Sequence, residues 1–129
     1  MNVGGGEVSP GIVAVILRAE SVAIGAAGVV LWFAQGGTLI WLVPAFLAPD
    51  LSIAGYVAGP RIGAVVYNLA HNLVVALAAL GLGFLLASTP LVLAGAILIG
   101  HIGMDRTSGF GLKYATSFQD THLGRIGRR

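Results

Sequence analysis

Cysteine is absent from the sequence, which excludes disulfides and thiolate metal sites. Charge is scarce. Only 9% of the 129 residues are Asp, Glu, Lys or Arg, where a soluble domain carries about 25%. A water-soluble fold of this size could not cover its surface with so few polar groups. The first ten residues contain one charge, Glu7, and no basic residue. A cleaved secretory signal opens with a positive region, so none is expected, and the first helix is expected to act as the insertion signal and stay. There is no His-Glu-x-x-His run, and Gly109–Lys113 is no phosphate loop, since no strand is expected before it and no helix after it.

What is present is apolar. Hydrophobic residues make up 57% of the chain, and its mean hydropathy is +0.92. A spanning helix takes about 20 residues, so four spans and short loops use up the length. The spans are expected near residues 11–33, 39–58, 62–87 and 91–104, within a domain of residues 11–105. Turns fall at Gln35–Thr38, Gly59–Arg61 and Ser88–Pro90. Residues 1–10 form an N-terminal tail, and residues 106–129 a polar cytoplasmic or interfacial one. The expected fold class is all-α, a four-helix transmembrane bundle with short loops and a polar C-terminal tail.

The basic residues set the orientation. Arg18, Arg61, Arg106 and Lys113 fall on one side of such a bundle, and the opposite loops carry no charge. Cytoplasmic loops are rich in Lys and Arg, so both termini are expected in the cytoplasm, with the chain a multi-pass protein of a bacterial inner membrane. The net charge of +2 comes largely from the C-terminal tail, which reads as a membrane-surface signal and not as a nucleic-acid site. Gly55 and Gly59 form a small-xxx-small pair. Tight packing within the chain is the first expectation for it, and a homodimer interface in the bilayer the second.

The depth of the polar residues is the informative pattern. Spans one and three enter from the cytoplasm with their polar residues early; spans two and four return with theirs late. Glu20, Asp50, His71, His101 and Asp105 therefore belong to one layer in or near the cytoplasmic half. An ionised group deep in a bilayer costs about 2.5–3.5 kcal/mol on insertion scales, so these residues are expected to face one another, a cavity or a metal. Long arginines can snorkel to the interface; short carboxylates cannot. His101 and Asp105 are one helical turn apart on one face, and Tyr67 or Asn68 with His71 and Asn72 makes a similar polar stripe. Imidazole and carboxylate suit zinc, iron and manganese. Asp50, His71, His101 and Asp105 are the expected ligands of one divalent ion, with Glu20 and Asp50 as catalytic carboxylates. Asn68, Arg106, Lys113 and His122 are the expected substrate contacts, His122 where the tail folds back over the site; a solvated tail is the equal alternative.

The runs Ala48-Pro49-Asp50-Leu51-Ser52, Gly59-Pro60-Arg61, Tyr67-Asn68-Leu69-Ala70-His71, His101-Ile102-Gly103-Met104-Asp105-Arg106, Gly109-Phe110-Gly111-Leu112-Lys113-Tyr114 and Thr121-His122-Leu123-Gly124 carry a resemblance. With them the chain resembles, over about residues 16–127, an uncharacterised bacterial family catalogued as domain of unknown function 4260. That family implies several membrane spans and no assigned activity. Pro49-Asp50, His71, and His101 with Asp105 are also similar in order to the membrane-bound metal-dependent hydrolases regulated by the SOS repressor. The chain departs from those hydrolases twice: Glu20 stands where an early His is expected, and the His-Arg-x-x-Thr-His run is missing.

Three functions fit these features. The first is a metal-dependent hydrolase acting on a lipid-like, lipophilic or amphiphilic small molecule. The second is a metal-free membrane enzyme, an isomerase or cyclase, using carboxylates as acid and base. The third is a small proton-coupled transporter, since four spans with one glutamate in the first are similar to the small multidrug exporters. A dry outer half speaks against transport, because a transport path must open to both sides.

Overall fold

The structure, a computed structural model, describes residues 10–126. The expected N-terminal tail, up to residue 9, and the basic residues Arg128 and Arg129 lie outside that range. The described chain is almost entirely helical. In order come α1 (Pro10–Ala34), α2 (Leu39–Leu47), a 3-10 segment (Ala48–Ala58), α3 (Pro60–Ala70), α4 (Leu73–Leu85) and α5 (Thr89–Thr107). A two-residue hairpin, β1 (Asp120–Thr121) with β2 (Gly124–Arg125), closes the chain. Three stretches are long and apolar enough to cross a membrane: Gly11–Ala34, Leu39–Ala58 and Pro60–Leu85. Their outward faces are bare hydrocarbon. Ile40 is 79%, Val57 95% and Leu85 83% exposed. Each such side chain would lose about 1.5–3 kcal/mol of burial free energy by facing water, and loses nothing by facing lipid. The chain is built as a membrane protein.

The fourth expected span, α5, is different. It is 19 residues long and ends with His101, Asp105 and Arg106. It runs through the centre and packs against α1, α4 and α2, while the 3-10 segment packs on α3. Ala96, Ile97, His101 and Ile102 are among its buried side chains. Glycine makes this central position possible. A Cβ on Gly28 would collide with the backbone of Gly100, and one on Gly103 with the backbone of Gly25. The two helices meet main chain to main chain, the way small residues let spans approach in lipid. Gly55 packs against Val66 of α3 within the chain, and Gly59 serves a turn with φ +108°.

Two expected spans are not continuous α-helices. The second changes from α to 3-10 geometry at Ala48, where Pro49 supplies no N–H. The third stops at Ala70 and restarts at Leu73. Asn72 caps the restart: its side chain accepts the Val75 N–H at 2.9 Å and donates to Asn68 O at 2.8 Å. Such caps occur where the helix ladder leaves N–H groups without partners. Ser88 caps α5 in the same way through the Leu91 N–H.

Replacing Gly103 by leucine is expected to lower the stability of the detergent-solubilised protein by about 1–3 kcal/mol or more, since overpacking cannot relax against backbone. Gly81→Leu, at a helix position with open space around it, is expected to be near neutral. Thermal unfolding of the two variants side by side checks this.

Candidate metal centre

Both interruptions in the helices lie beside the polar layer. At the first, Asp50 occupies the opening turn of the 3-10 segment. The Ala48 N–H turns back to Ala45 and Pro44, and the carbonyl of Phe46 is taken by His101 Nδ1. At the second, the His71 N–H bonds Asn68 O at 3.3 Å. The carbonyl of Tyr67 is one turn back, where α-helical pairing would have met that N–H. It instead accepts the ring Nδ1 of His71 at 2.8 Å. Each imidazole therefore satisfies a carbonyl at a helix end.

The consequence is a fixed tautomer. With Nδ1–H given to a carbonyl, the lone pair of a neutral imidazole sits on Nε2. Those two nitrogens face two carboxylates. His71 Nε2 lies 3.3 Å from Asp50 Oδ1 and 3.7 Å from Asp105 Oδ2. His101 Nε2 lies 3.2 Å from each of the same oxygens, and it is buried with no hydrogen-bond partner. The four atoms lie within 4.8 Å of one another, a group that could hold a metal ion. A tetrahedral ion with bonds of about 2.0–2.2 Å spaces its ligands about 3.3–3.6 Å apart; the four His–Asp contacts, at 3.2–3.7 Å, lie near that spacing, and the full spread of 4.8 Å is wider. Acceptor atoms brought this close repel unless a cation or shared protons lie among them.

Aromatic rings wall the group. Tyr67 stacks on His71 with centroids 3.7 Å apart, and the Phe46 ring stands 5.1 Å from His101. The Tyr67 hydroxyl is 3.5 Å from Asp105 Oδ2. His101 and His71 are buried, but the Asp50 side chain is 42% exposed. The group thus opens on one side, at Asp50.

The remaining candidates lie elsewhere. Glu20 does not join the four. Gly25 meets Gly103, and Glu20 stands five residues earlier on α1, about 7.5 Å further along at 1.5 Å per residue. That puts it level with the end of α5, past Asp105. It lines a separate groove with Arg106 and His122. Asn68 holds the tail: its Nδ2 donates to Lys113 O at 2.8 Å, and its Oδ1 accepts the Lys113 N–H at 2.7 Å. Lys113 is buried, and its Nζ lies 3.9 Å from the Phe118 ring centroid and 4.8 Å from that of Tyr67. Burial pushes its pKa down, and the charges of Asp105 and Asp50 partly restore it. The tail thus folds back onto α3, with Lys113 against the ring that stacks on His71.

The description that matches this chain is "Domain of unknown function (DUF4260)", over residues 14–126. The chain belongs to the DUF4260 family. No curated protein matches it, and no solved structure does. The resemblance to metal-dependent hydrolases gains no support from these comparisons. In this DUF4260 chain two contributors were not among the expected site residues. Tyr67 had a visible signal, its place one turn before His71. The carbonyl of Phe46 had none, because a main-chain acceptor leaves no trace in a side-chain pattern.

His122 ties down the far end of the tail, its Nδ1 accepting the Leu112 N–H at 2.8 Å. Partial desolvation, then the positive charge of Arg106, hold its pKa below the ordinary 6.5. A base with a lowered folded pKa loses stability as pH falls from its unfolded pKa toward the folded one. The Leu112 amide is therefore expected to lose hydrogen-exchange protection as pH drops from about 7.5 to about 5.5. His122→Ala is expected to remove that pH dependence. Unchanged protection in the wild type across the range would refute the assignment.

Proposed function

We propose that Asp50, His71, His101 and Asp105 hold one divalent ion, of zinc, manganese or iron, and that the protein hydrolyses an amphiphilic substrate at the membrane surface. The observation that carries this is the pair of imidazoles locked through Nδ1, with both Nε2 lone pairs directed among two carboxylates. Metal-binding histidines characteristically use the other ring nitrogen in this way. A bound ion lowers the pKa of a water molecule and yields a nucleophile at neutral pH.

The chain's own residues define the rest of the reading. His71, His101 and Asp105 form the buried side of the site, and Asp50 its open side, where water and substrate reach it. The Tyr67 hydroxyl steadies Asp105. Lys113 and the folded tail cover the flank next to α3. Glu20, level with the end of α5, is assigned no part in the reacting group. The residues fall into a spanning domain of 11–105 and a covering segment from 106 onward. We place the chain in a bacterial inner membrane with both termini cytoplasmic, since Arg18, Arg61, Arg106 and Lys113 belong to one side.

The interrupted third span favours a second reading, because transporters build ion sites on broken helices. Against it, the turns at the opposite end, Gln35–Thr38 and Ser88–Thr89, offer no titratable side chain. A metal-free enzyme would use the same carboxylates and keep full activity in chelator.

Elemental analysis of the purified protein is expected to find about one transition-metal ion per chain. His71→Ala and His101→Ala are each expected to abolish it, and Asp50→Asn, which removes a charged ligand on the open side, to lower the metal content below one per chain. Sub-stoichiometric metal, unchanged in both histidine variants, would end the proposal. Proton-coupled flux in vesicles would turn it toward transport.

A further inference from the structure

A second feature lies beside the metal centre and shares none of its four residues. A groove of about 620 Å³ opens between α1, the end of α5, the start of α4 and the tail. Ligand sites commonly measure about 300–1,000 Å³, so the groove holds far more than a small anion. Its apolar lining comes from Leu17 and Ile24 of α1, Leu73 of α4 and Ile102 of α5. Arg18 and Arg106 line it as well, with Glu20 the lone acid.

The two arginines are the informative part. Among the described residues the one ion pair made by an arginine joins Arg125 to Asp120. Among those residues neither Arg18 nor Arg106 pairs with a carboxylate, although Arg106 is half-buried. A partly desolvated guanidinium with open donors is matched by an oxyanion, and its planar fork suits phosphate. With His122 held neutral, two arginines and one glutamate leave a surplus of one positive charge. A phosphodiester carries one negative charge.

We propose that this groove binds a phospholipid of net negative charge, with the phosphate between Arg18 and Arg106 and an acyl chain along Leu17, Ile24 and Ile102. The apolar lining and the volume distinguish it from a site for free phosphate. Glu20 sets the charge balance, repelling a second negative charge on the headgroup. The inference does not rest on the metal reading, since no candidate metal ligand lines the groove.

Native mass spectrometry of the full chain in detergent tests it, with phosphatidylglycerol and phosphatidylcholine of equal acyl chains as probes and glycerol phosphate as competitor. The wild type is expected to retain phosphatidylglycerol about tenfold better, a difference of about 1.4 kcal/mol. Arg18→Gln with Arg106→Gln is expected to erase the preference and leave metal stoichiometry intact, whereas His101→Ala is expected to keep it. Arg18 is exposed, so Arg18→Gln alone is expected to fold and to reduce the preference if the double variant does not fold. Equal retention of both lipids by the wild type, or a preference untouched by Arg18→Gln, would overturn the proposal. Complete displacement by glycerol phosphate would also overturn it, marking a soluble-phosphate site.

Discussion

An unpaired carbonyl inside a membrane has no water to turn to, and each one costs several kcal/mol. Most of this structure follows from how two such carbonyls, those of Phe46 and Tyr67, are answered. A proline-bearing 3-10 segment and an interrupted helix release them, and an imidazole ring takes each. The interruptions are therefore not defects that the site tolerates. They are what orients it, because each ring, once hydrogen-bonded through Nδ1, can only turn Nε2 toward the carboxylates. Two separate departures from helical geometry produce one cluster of inward-facing acceptors.

The glycine contacts supply the other half of the arrangement. Contact of α1 and α5 at backbone distance keeps α5 in the middle of the bundle, where His101 faces Phe46 and Asp105 comes within reach of His71. The same contact fixes the helix register. That register sets Glu20 past the cluster and places it with Arg106 along the neighbouring groove. Packing and chemistry are thus linked through the glycines: a shift of one turn between α1 and α5 would re-sort which acids meet which bases.

Much of this was legible in the residues. The apolar length and the near-absence of charge point to a membrane-spanning helical chain. The depths of Asp50, His71, His101 and Asp105 in successive spans foretold their convergence, since residues at matching depth on adjacent helices have few other places to go. Depth alone misjudged Glu20. It fixes height within a few residues but not the register between two helices, and the Gly25–Gly103 contact decides that. The interruption at His71 and Asn72 was hidden because a polar pair inside an apolar run reads equally well as a buried stripe or as an end and a cap. What ties the folded tail down was hidden for a similar reason. Asn68 pairs with the backbone of Lys113, and backbone partners carry no sequence signature.

The central place of α5 bears on how the protein is made. The other three traverses are apolar enough to enter a bilayer on their own terms. The last one carries two buried ionisable residues and finds its groove only when the earlier helices stand ready. Since α5 supplies two of the four clustered residues, docking of that helix and completion of the cluster are one and the same packing event.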